Sequence, residues 1–279
     1  MFASGCSATA MPDLPRGSRG AAPLDALHVP ENVYGSRKRL DWVLRYTTRA
    51  DEILEVGCGT GYMLCRPLAK LGYRVQGIDL DAGSIEHGRE LLRAEGLDPG
   101  ILTVGPLSAV SATPNVIIAS EVLEHLHDEE LRSFLAEIRA RLGPHGTLLV
   151  TVPNGYGWFE IEDFFWRRLR IGDLLFRSGF CHLVESTKTR YLGPEAVDPG
   201  KPSTLANSPH VQRFTLSSIT RLLQNAGFEI IDSRGSVAFS GPFSNLFLAG
   251  LQGLLEGNTR WGDRLGRLAS GYFLAGRAT

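Results

Sequence analysis

The segment Glu55-Val56-Gly57-Cys58-Gly59-Thr60-Gly61-Tyr62 places a glycine at every second position, between a short apolar run, Ile53 to Val56, and a stretch of helical character from about Gly61 to Leu71. Glycine suits a chain that must turn sharply, and its missing side chain lets the backbone come close to a ligand. A helix opening there aims unpaired N–H groups and the positive end of its dipole at that ligand, so a carboxylate or a phosphate would be held. Asp79 narrows the choice. It ends the next apolar run, Arg74 to Ile78, about 20 residues after the glycines, where a carboxylate accepts hydrogen bonds from both ribose hydroxyls of a nucleoside. The expected ligand carries an unphosphorylated ribose, and the spacing Gly-x-Gly-x-Gly differs from the Gly-x-Gly-x-x-Gly of dinucleotide sites.

A second group follows the apolar run Asn115 to Ala119. Glu121, Glu124 and His125 stand at i, i+3 and i+4, and a helix there would set all three on one face beside the glycine loop. The plain structural alternative is that the acids favour a helix N-terminus while His125 caps the sheet edge. His125, and His210 in His210-Val211-Gln212-Arg213-Phe214-Thr215, are the candidate general bases; His28, His87, His127 and His145 read as surface or structural histidines. Asn154 and Tyr156, just past Pro153, either face a second substrate or make a polar turn.

These residues need a frame. Apolar runs at Ile53–Val56, Arg74–Ile78, Ile101–Val104, Asn115–Ala119 and Gly146–Val152 alternate with helical segments at Gly61–Leu71, Ala82–Glu95 and Leu126–Leu142, and a short amphipathic helix, Arg37–Arg45, precedes them. That alternation predicts an α/β fold, a doubly wound and mostly parallel sheet covered on both faces, with its ligand at the C-terminal ends of the strands. Helix Thr215–Ala226, strand Phe228–Asp232 and a closing strand at Tyr272–Ala275 complete seven strands. Residues 1–28, rich in Gly, Ala, Ser and Pro, are expected to be a disordered tail before one domain, 29–279. Two segments break the alternation, at about 154–209 and 238–270, and both are expected to cap the site.

The loop residues, Gly77-Ile78-Asp79-Leu80-Asp81, Ala119-Ser120-Glu121-Val122-Leu123-Glu124-His125 and Gly146-Thr147-Leu148-Leu149-Val150 together resemble the motifs of class I S-adenosylmethionine-dependent methyltransferases, from about Val33 to Phe228. The likeness is to the ubiquinone-biosynthesis O-methyltransferase and methyltransferase type 11 group. It implies a Rossmann-like methyltransferase fold with S-adenosyl-L-methionine as cofactor. In such a site Gly57, Gly59 and Gly61 contact the amino-acid half, Asp79 the ribose and Leu80 the adenine face, with Glu55, Cys58, Ser120 and Glu121 in the same pocket. One departure is that Gly105-Pro106-Leu107 offers no acid for the adenine amino group. The Glu-x-x-Glu-His arrangement also resembles that of ubiquinone-pathway and small-RNA 2′-O-methyltransferases, where it binds a divalent cation with a later histidine. By that likeness Glu121, Glu124, His125 and His210 would hold Mg²⁺, Mn²⁺, Fe²⁺ or Zn²⁺, with His182 second to His210 as the later ligand.

The resemblance and residues together predict O-methylation of a small-molecule, glycan or lipid-linked acceptor. The alternatives are a non-catalytic cofactor-binding scaffold and, ranked below it, an RNA 2′-O-methyltransferase. A formal net charge of −1 in 279 residues gives no overall electrostatic reason to expect nucleic acid. Four scattered cysteines (Cys6, Cys58, Cys65, Cys181) suit reduced thiols and a cytoplasmic setting. Trp166-Arg167-Arg168-Leu169-Arg170 and Phe176-Arg177 would clamp a phosphate, rest on an anionic membrane surface as a peripheral contact, or form a solvated face. The apolar stretch Phe243–Leu255 would line an acceptor pocket, touch lipid, pack in the core or pair two copies in a homodimer.

Overall fold

The computed structural model describes residues 31–111, 113–192 and 210–279. The expected tail, His28 and the Pro- and Gly-rich stretch 193–208 lie outside these residues. Helix α1 (Ser36–Val43) leads into β1 (Glu52–Val56), α2 (Cys65–Lys70), β2 (Arg74–Asp79), α3 (Ala82–Ala94), β3 (Leu102–Val104), β4 (Val116–Ser120), α4 (Asp128–Leu142) and β5 (Thr147–Pro153). After β5 come three cap helices, α5 (Trp158–Asp163), α6 (Ile171–Arg177) and α7 (Phe180–Leu192), with a short π-helical segment at Phe164–Arg168 joining α5 to α6. The chain closes with α8 (Leu216–Asn225), β6 (Phe228–Gly235), α9 (Pro242–Leu248), α10 (Gln252–Leu265) and β7 (Gly271–Ala278).

The seven strands lie in the order β3-β2-β1-β4-β5-β7-β6, the first five parallel and β7 antiparallel to both neighbours. The order reverses between β1 and β4, so the crevice at their C-terminal ends is the natural ligand site. Every residue of β4 is buried, as expected of a central strand covered on both faces. One apolar layer joins β4 and β5 to α4 and α8 through Leu131, Leu135, Ile138, Ile219 and Leu223. The other joins the sheet to α1, α2 and α3 through Leu40, Trp42, Leu68, Ile85 and Leu92.

Local chemistry sets the boundaries. Asp81 caps α3, its carboxylate accepting from the Ser84 amide at 2.6 Å. Helix α4 opens with Asp128, Glu129 and Glu130 and closes with Arg139 and Arg141, matching the helix dipole at both ends. It begins later than its apolar pattern predicts, because Leu123–His125 forms a separate 3-10 turn and the Glu130 carboxylate accepts from the His127 amide at 2.9 Å. Helix α2 likewise starts only at Cys65, since the glycine turn consumes the preceding residues. The apolar stretch Phe243–Leu255 is two helices, broken where Gly250 takes a positive φ.

Ile118 on β4 is fully buried at the centre of the sheet. Substituting Ile118→Ala is expected to lower unfolding stability by about 2–5 kcal/mol in urea denaturation. The exposed Arg132→Ala control is expected to stay within about 0.5 kcal/mol of the parent.

Candidate active site

The bend after β1 is built from left-handed backbone. Gly57, Gly59 and Gly61 have φ of 71°, 55° and 67°, a region that costs other residues about 1–2 kcal/mol each. Gly57 also has no room for a side chain, as a Cβ there would lie 2.5 Å from Val122 Cγ2. A Cβ on Gly59 would meet nothing within 4 Å, so this glycine faces open space. The Gly57 and Cys58 amides donate to the Ile78 carbonyl at 2.8 and 3.0 Å, and the Gly59 amide donates to Asp79 Oδ2 at 2.7 Å. The Asp81 amide holds Asp79 Oδ1 at 2.9 Å. Asp79 is thus buried and aimed by the backbone, and each oxygen keeps a further lone pair for a ligand hydroxyl. Leu80 next to it is 75% exposed, an apolar lip beside the same crevice.

Glu55 supports the bend from beneath. Its Oε2 accepts from the Cys65 amide at 3.1 Å and the Cys65 thiol at 2.9 Å, which holds the start of α2. Burial pushes the Glu55 carboxyl up to about 7. Cys58 also turns inward, since a Cβ on Gly77 would lie 2.8 Å from its sulfur and 2.6 Å from that of Cys65. Any contact it makes with a ligand therefore runs through its backbone.

A network at the ends of β4 and β5 borders the loop. Arg39 of α1 donates to Ser120 Oγ at 2.9 Å and to Glu121 Oε1 at 3.3 Å. Thr151 donates to Glu121 Oε1 at 2.8 Å and lies 2.9 Å from Ser120 Oγ, so Ser120 is the donor in that pair. Buried Arg39 was not among the expected site residues. No motif marks it, because its role comes from a helix packed across the sheet. Glu121 has φ of 56°, which turns the chain away from helix directly after β4.

The carboxylates and histidines therefore divide. The structure does not bring Glu121 onto a common helical face with Glu124 and His125, because its backbone turns and its carboxylate is held by Arg39 and Thr151. Glu124, His125 and His210 do converge, with candidate ligand atoms all within 4.8 Å of one another. Backbone pairing delivers His210: the Val211 and Gln212 amides donate to the Glu124 carbonyl at 2.9 and 3.0 Å. Gln212 Nε2 adds bonds to the Leu126 carbonyl at 3.2 Å and Asp128 Oδ1 at 2.7 Å. The two imidazole rings stand edge to face at 5.2 Å. His182 lies exposed on α7, outside this group.

Glu124 is 1% exposed, and among the described residues neither carboxylate oxygen has a hydrogen-bond partner. Burial, then the negative charge of Glu121, pushes its pKa well above the carboxylate range. A buried carboxyl in that state is satisfied by a proton or by a cation. Glu160 of α5, unmarked by any motif, adds a second acid, with Oε1 3.6 Å from His210 Nδ1 and Oε2 3.8 Å from Arg213. Asn154 does not point into this space; its Nδ2 donates to the Ala269 carbonyl at 2.9 Å and its Oδ1 accepts from the Tyr156 amide.

The methyltransferase domain family matches residues 34–233. This chain belongs to that family. It is 28% identical over 184 residues to a protein of Mycolicibacterium smegmatis named as an S-adenosylmethionine-dependent methyltransferase, covering 66% of this chain and 54% of that one. It is 37% identical over 115 residues to the ubiquinone biosynthesis O-methyltransferase of Methylocella silvestris, covering 39% and 44%. The chain thus spans about half the length of the curated relatives it matches. Among solved structures, the fold matches magnesium protoporphyrin IX methyltransferase from Synechocystis, solved with bound SAH, with a TM-score of 0.51 and 14% identity over 88% of this chain and 82% of that one. In this methyltransferase-family domain the glycine bend lies at the sheet's switch point, with Asp79 one strand away at the end of β2.

Two measurements check these assignments. Gly57→Ala is expected to lose more thermal stability than Gly59→Ala, while Gly59→Ala keeps the fold and loses at least about tenfold in affinity for the family's cofactor by calorimetry. Glu55→Gln tests the buried carboxyl. Its folded pKa lies above the unfolded value of 4.5, so its favourable contribution is complete below that value and lost as pH rises through about 7. The variant is therefore expected to gain on the parent across that window, by up to roughly 3 kcal/mol, in ligand-free denaturation.

Proposed function

We propose that the chain is an S-adenosylmethionine-dependent methyltransferase acting on an oxygen of a small-molecule, glycan or lipid-linked acceptor, with a divalent cation beside the acceptor. The observation that carries this reading is the buried carboxyl of Glu124, without a hydrogen bond among the described residues and with Oε1 3.9 Å from His125 Nε2, grouped with His125 and His210 next to the glycine bend. O-methylation is the chemistry of the ubiquinone-pathway relative, and it is extended here to this chain on the strength of that cluster.

The cofactor supplies an electrophilic methyl on a sulfonium with a good leaving group. The protein's part is alignment, with effective molarities that reach roughly 10⁵ M or more when reacting atoms are well placed. The backbone of Gly57, Gly59 and Gly61 receives the amino-acid half, Asp79 the ribose hydroxyls and Leu80 one face of the base. The missing adenine acid leaves the adenine amino group to a backbone carbonyl in this reading, since the Gly105 amide is already donated to the Asp79 carbonyl at 2.9 Å. Glu124, His125 and His210 would hold the cation, which lowers the pKa of a bound hydroxyl. Glu121 stays with Arg39 as part of the pocket wall. An oxygen acceptor must also lose a proton, and if no cation is bound His125 or His210 would take it as general base. Glu160, 3.6 Å from His210 Nδ1, stands where it can orient that ring.

Elemental analysis and titration with Mn²⁺ test the cation, comparing the parent with Glu124→Ala/His125→Ala. Binding near one equivalent in the parent and its loss in the variant are expected; equal, negligible binding in both would remove the cation from the reading. Mass spectrometry for S-adenosylhomocysteine after incubation with cofactor and a metabolite extract tests turnover. Calorimetry showing no affinity for either cofactor form in folded protein would refute the assignment itself.

A further inference from the structure

The cap formed by α5, the π-helical segment, α6 and α7 leaves an unusual amount of large apolar surface in contact with water. Leu174, Phe176 and Leu183 are 65%, 61% and 61% exposed, and Phe164, Phe165 and Leu169 between 43% and 51%. The surface is knit together by ring contacts. Phe164 stands edge to face with Phe165 at 5.6 Å, Trp166 with Phe176 at 6.1 Å, and Phe180 with Phe247 of α9 at 6.4 Å. Single exposed apolar residues are ordinary, whereas a grouped set of this size marks an interaction surface.

Charge identifies the partner. Residues 164–180 carry Arg167, Arg168, Arg170 and Arg177 against the single acid Asp173, a local basic cluster in a cap whose residues 158–192 total a formal +1. Arg167 pairs with Asp163 at 2.8 Å and Arg170 with Asp173 at 3.0 Å, while Arg168 and Arg177 have no ion pair among the described residues. All four arginines are exposed. Aromatic and leucine side chains flanked by arginines on short helices are the composition of an interfacial membrane contact, in which apolar groups enter the headgroup boundary and guanidinium groups meet lipid phosphates. Among the described residues no helix is long and apolar enough to cross a membrane, and α6 has 7 residues and α7 has 13, so the contact lies along the surface. Self-pairing is disfavoured, because a two-fold contact would set this basic segment against its own copy. Residues 193–209 are poor material for covering the patch, with Val197 and Leu205 their only large aliphatic side chains and no aromatic.

We propose that the α5–α7 cap is a docking surface for an anionic lipid bilayer, entered by Phe164, Leu174 and Phe176 and steered by Arg167, Arg168 and Arg177. The cap also carries Phe159, 6.1 Å from the His210 ring, and Glu160, so docking brings the Glu124–His125–His210 cluster to the membrane surface. The inference stands on exposure and charge and does not depend on which acceptor is methylated.

Cosedimentation of the full chain with vesicles tests it, using phosphatidylcholine alone or with roughly one third phosphatidylglycerol. Binding is expected to the anionic vesicles and to weaken at high salt. Each basic residue near such a surface contributes roughly fivefold, so Arg167→Glu/Arg168→Glu/Arg177→Glu is expected to lower partitioning at least about tenfold. Phe164→Ser/Leu174→Ser/Phe176→Ser is expected to lower it to a similar degree. Unchanged circular dichroism and unchanged cofactor affinity by calorimetry show that the variants remain folded. No vesicle binding by a chain that binds cofactor would overturn the proposal while leaving the methyltransferase reading intact. Equal binding by parent and variants, or a lipid-free dimer disrupted by the apolar substitutions and showing no lipid affinity, would overturn it as well.

Discussion

The hydrogen bond from the Gly59 amide to the Asp79 carboxylate joins the ends of β1 and β2 and fixes the shape of the crevice. It forms only because three glycines accept left-handed backbone within five residues, so the chain folds back toward β2 before α2 begins. Glu55 completes the arrangement from below by holding the first turn of α2 through Cys65. A buried acid thus serves the loop's geometry, while Asp79, one strand away, presents its oxygens at the surface of the bend.

Beyond that bend, the ends of β4 and β5 are organised by one cation. Arg39 lies on a helix that precedes the sheet in sequence, yet its guanidinium sits against Ser120 and Glu121 and is tied to Thr151 through them. Holding Glu121 in this way separates it from Glu124. The two acids look equivalent in the sequence, but one is paired by hydrogen bonds and the other is buried with both oxygens unmatched. A buried carboxyl is expensive without a proton or a positive partner, which makes Glu124 the focus of the cation reading. The return chain at Val211 and Gln212 and the cap helix with Glu160 close around it, so the Glu124–His125–His210 cluster and the cap share one wall.

The alternation of apolar runs and helices made the sheet legible, including all seven strands, because a strand covered on both faces reads as continuous apolar sequence. Boundaries were less legible where side chains cap. The late start of α4 and the break inside Phe243–Leu255 depend on a 3-10 turn and a positive φ at Gly250, which hydrophobic periodicity does not report. The cap is a stronger case. Its aromatic content was evident, but its division into α5, a π-helical segment, α6 and α7 was not, nor were the ring contacts it makes with α9 through Trp166–Phe243 and Phe180–Phe247.

The glycine spacing, Asp79 and the Glu-x-x-Glu-His sequence sufficed to indicate the fold and the family, since each works through backbone conformation or strand position within a short stretch of chain. Which acid stands beside the histidines was decided by long-range contacts, with Arg39 drawing Glu121 one way and backbone pairing at Glu124 drawing His210 the other. Asn154, turned to the loop before β7, and Glu160, turned to His210, gained their partners in the same way. Local spacing specifies where a side chain leaves the backbone; its hydrogen-bond partner depends on segments that meet only after the sheet has formed.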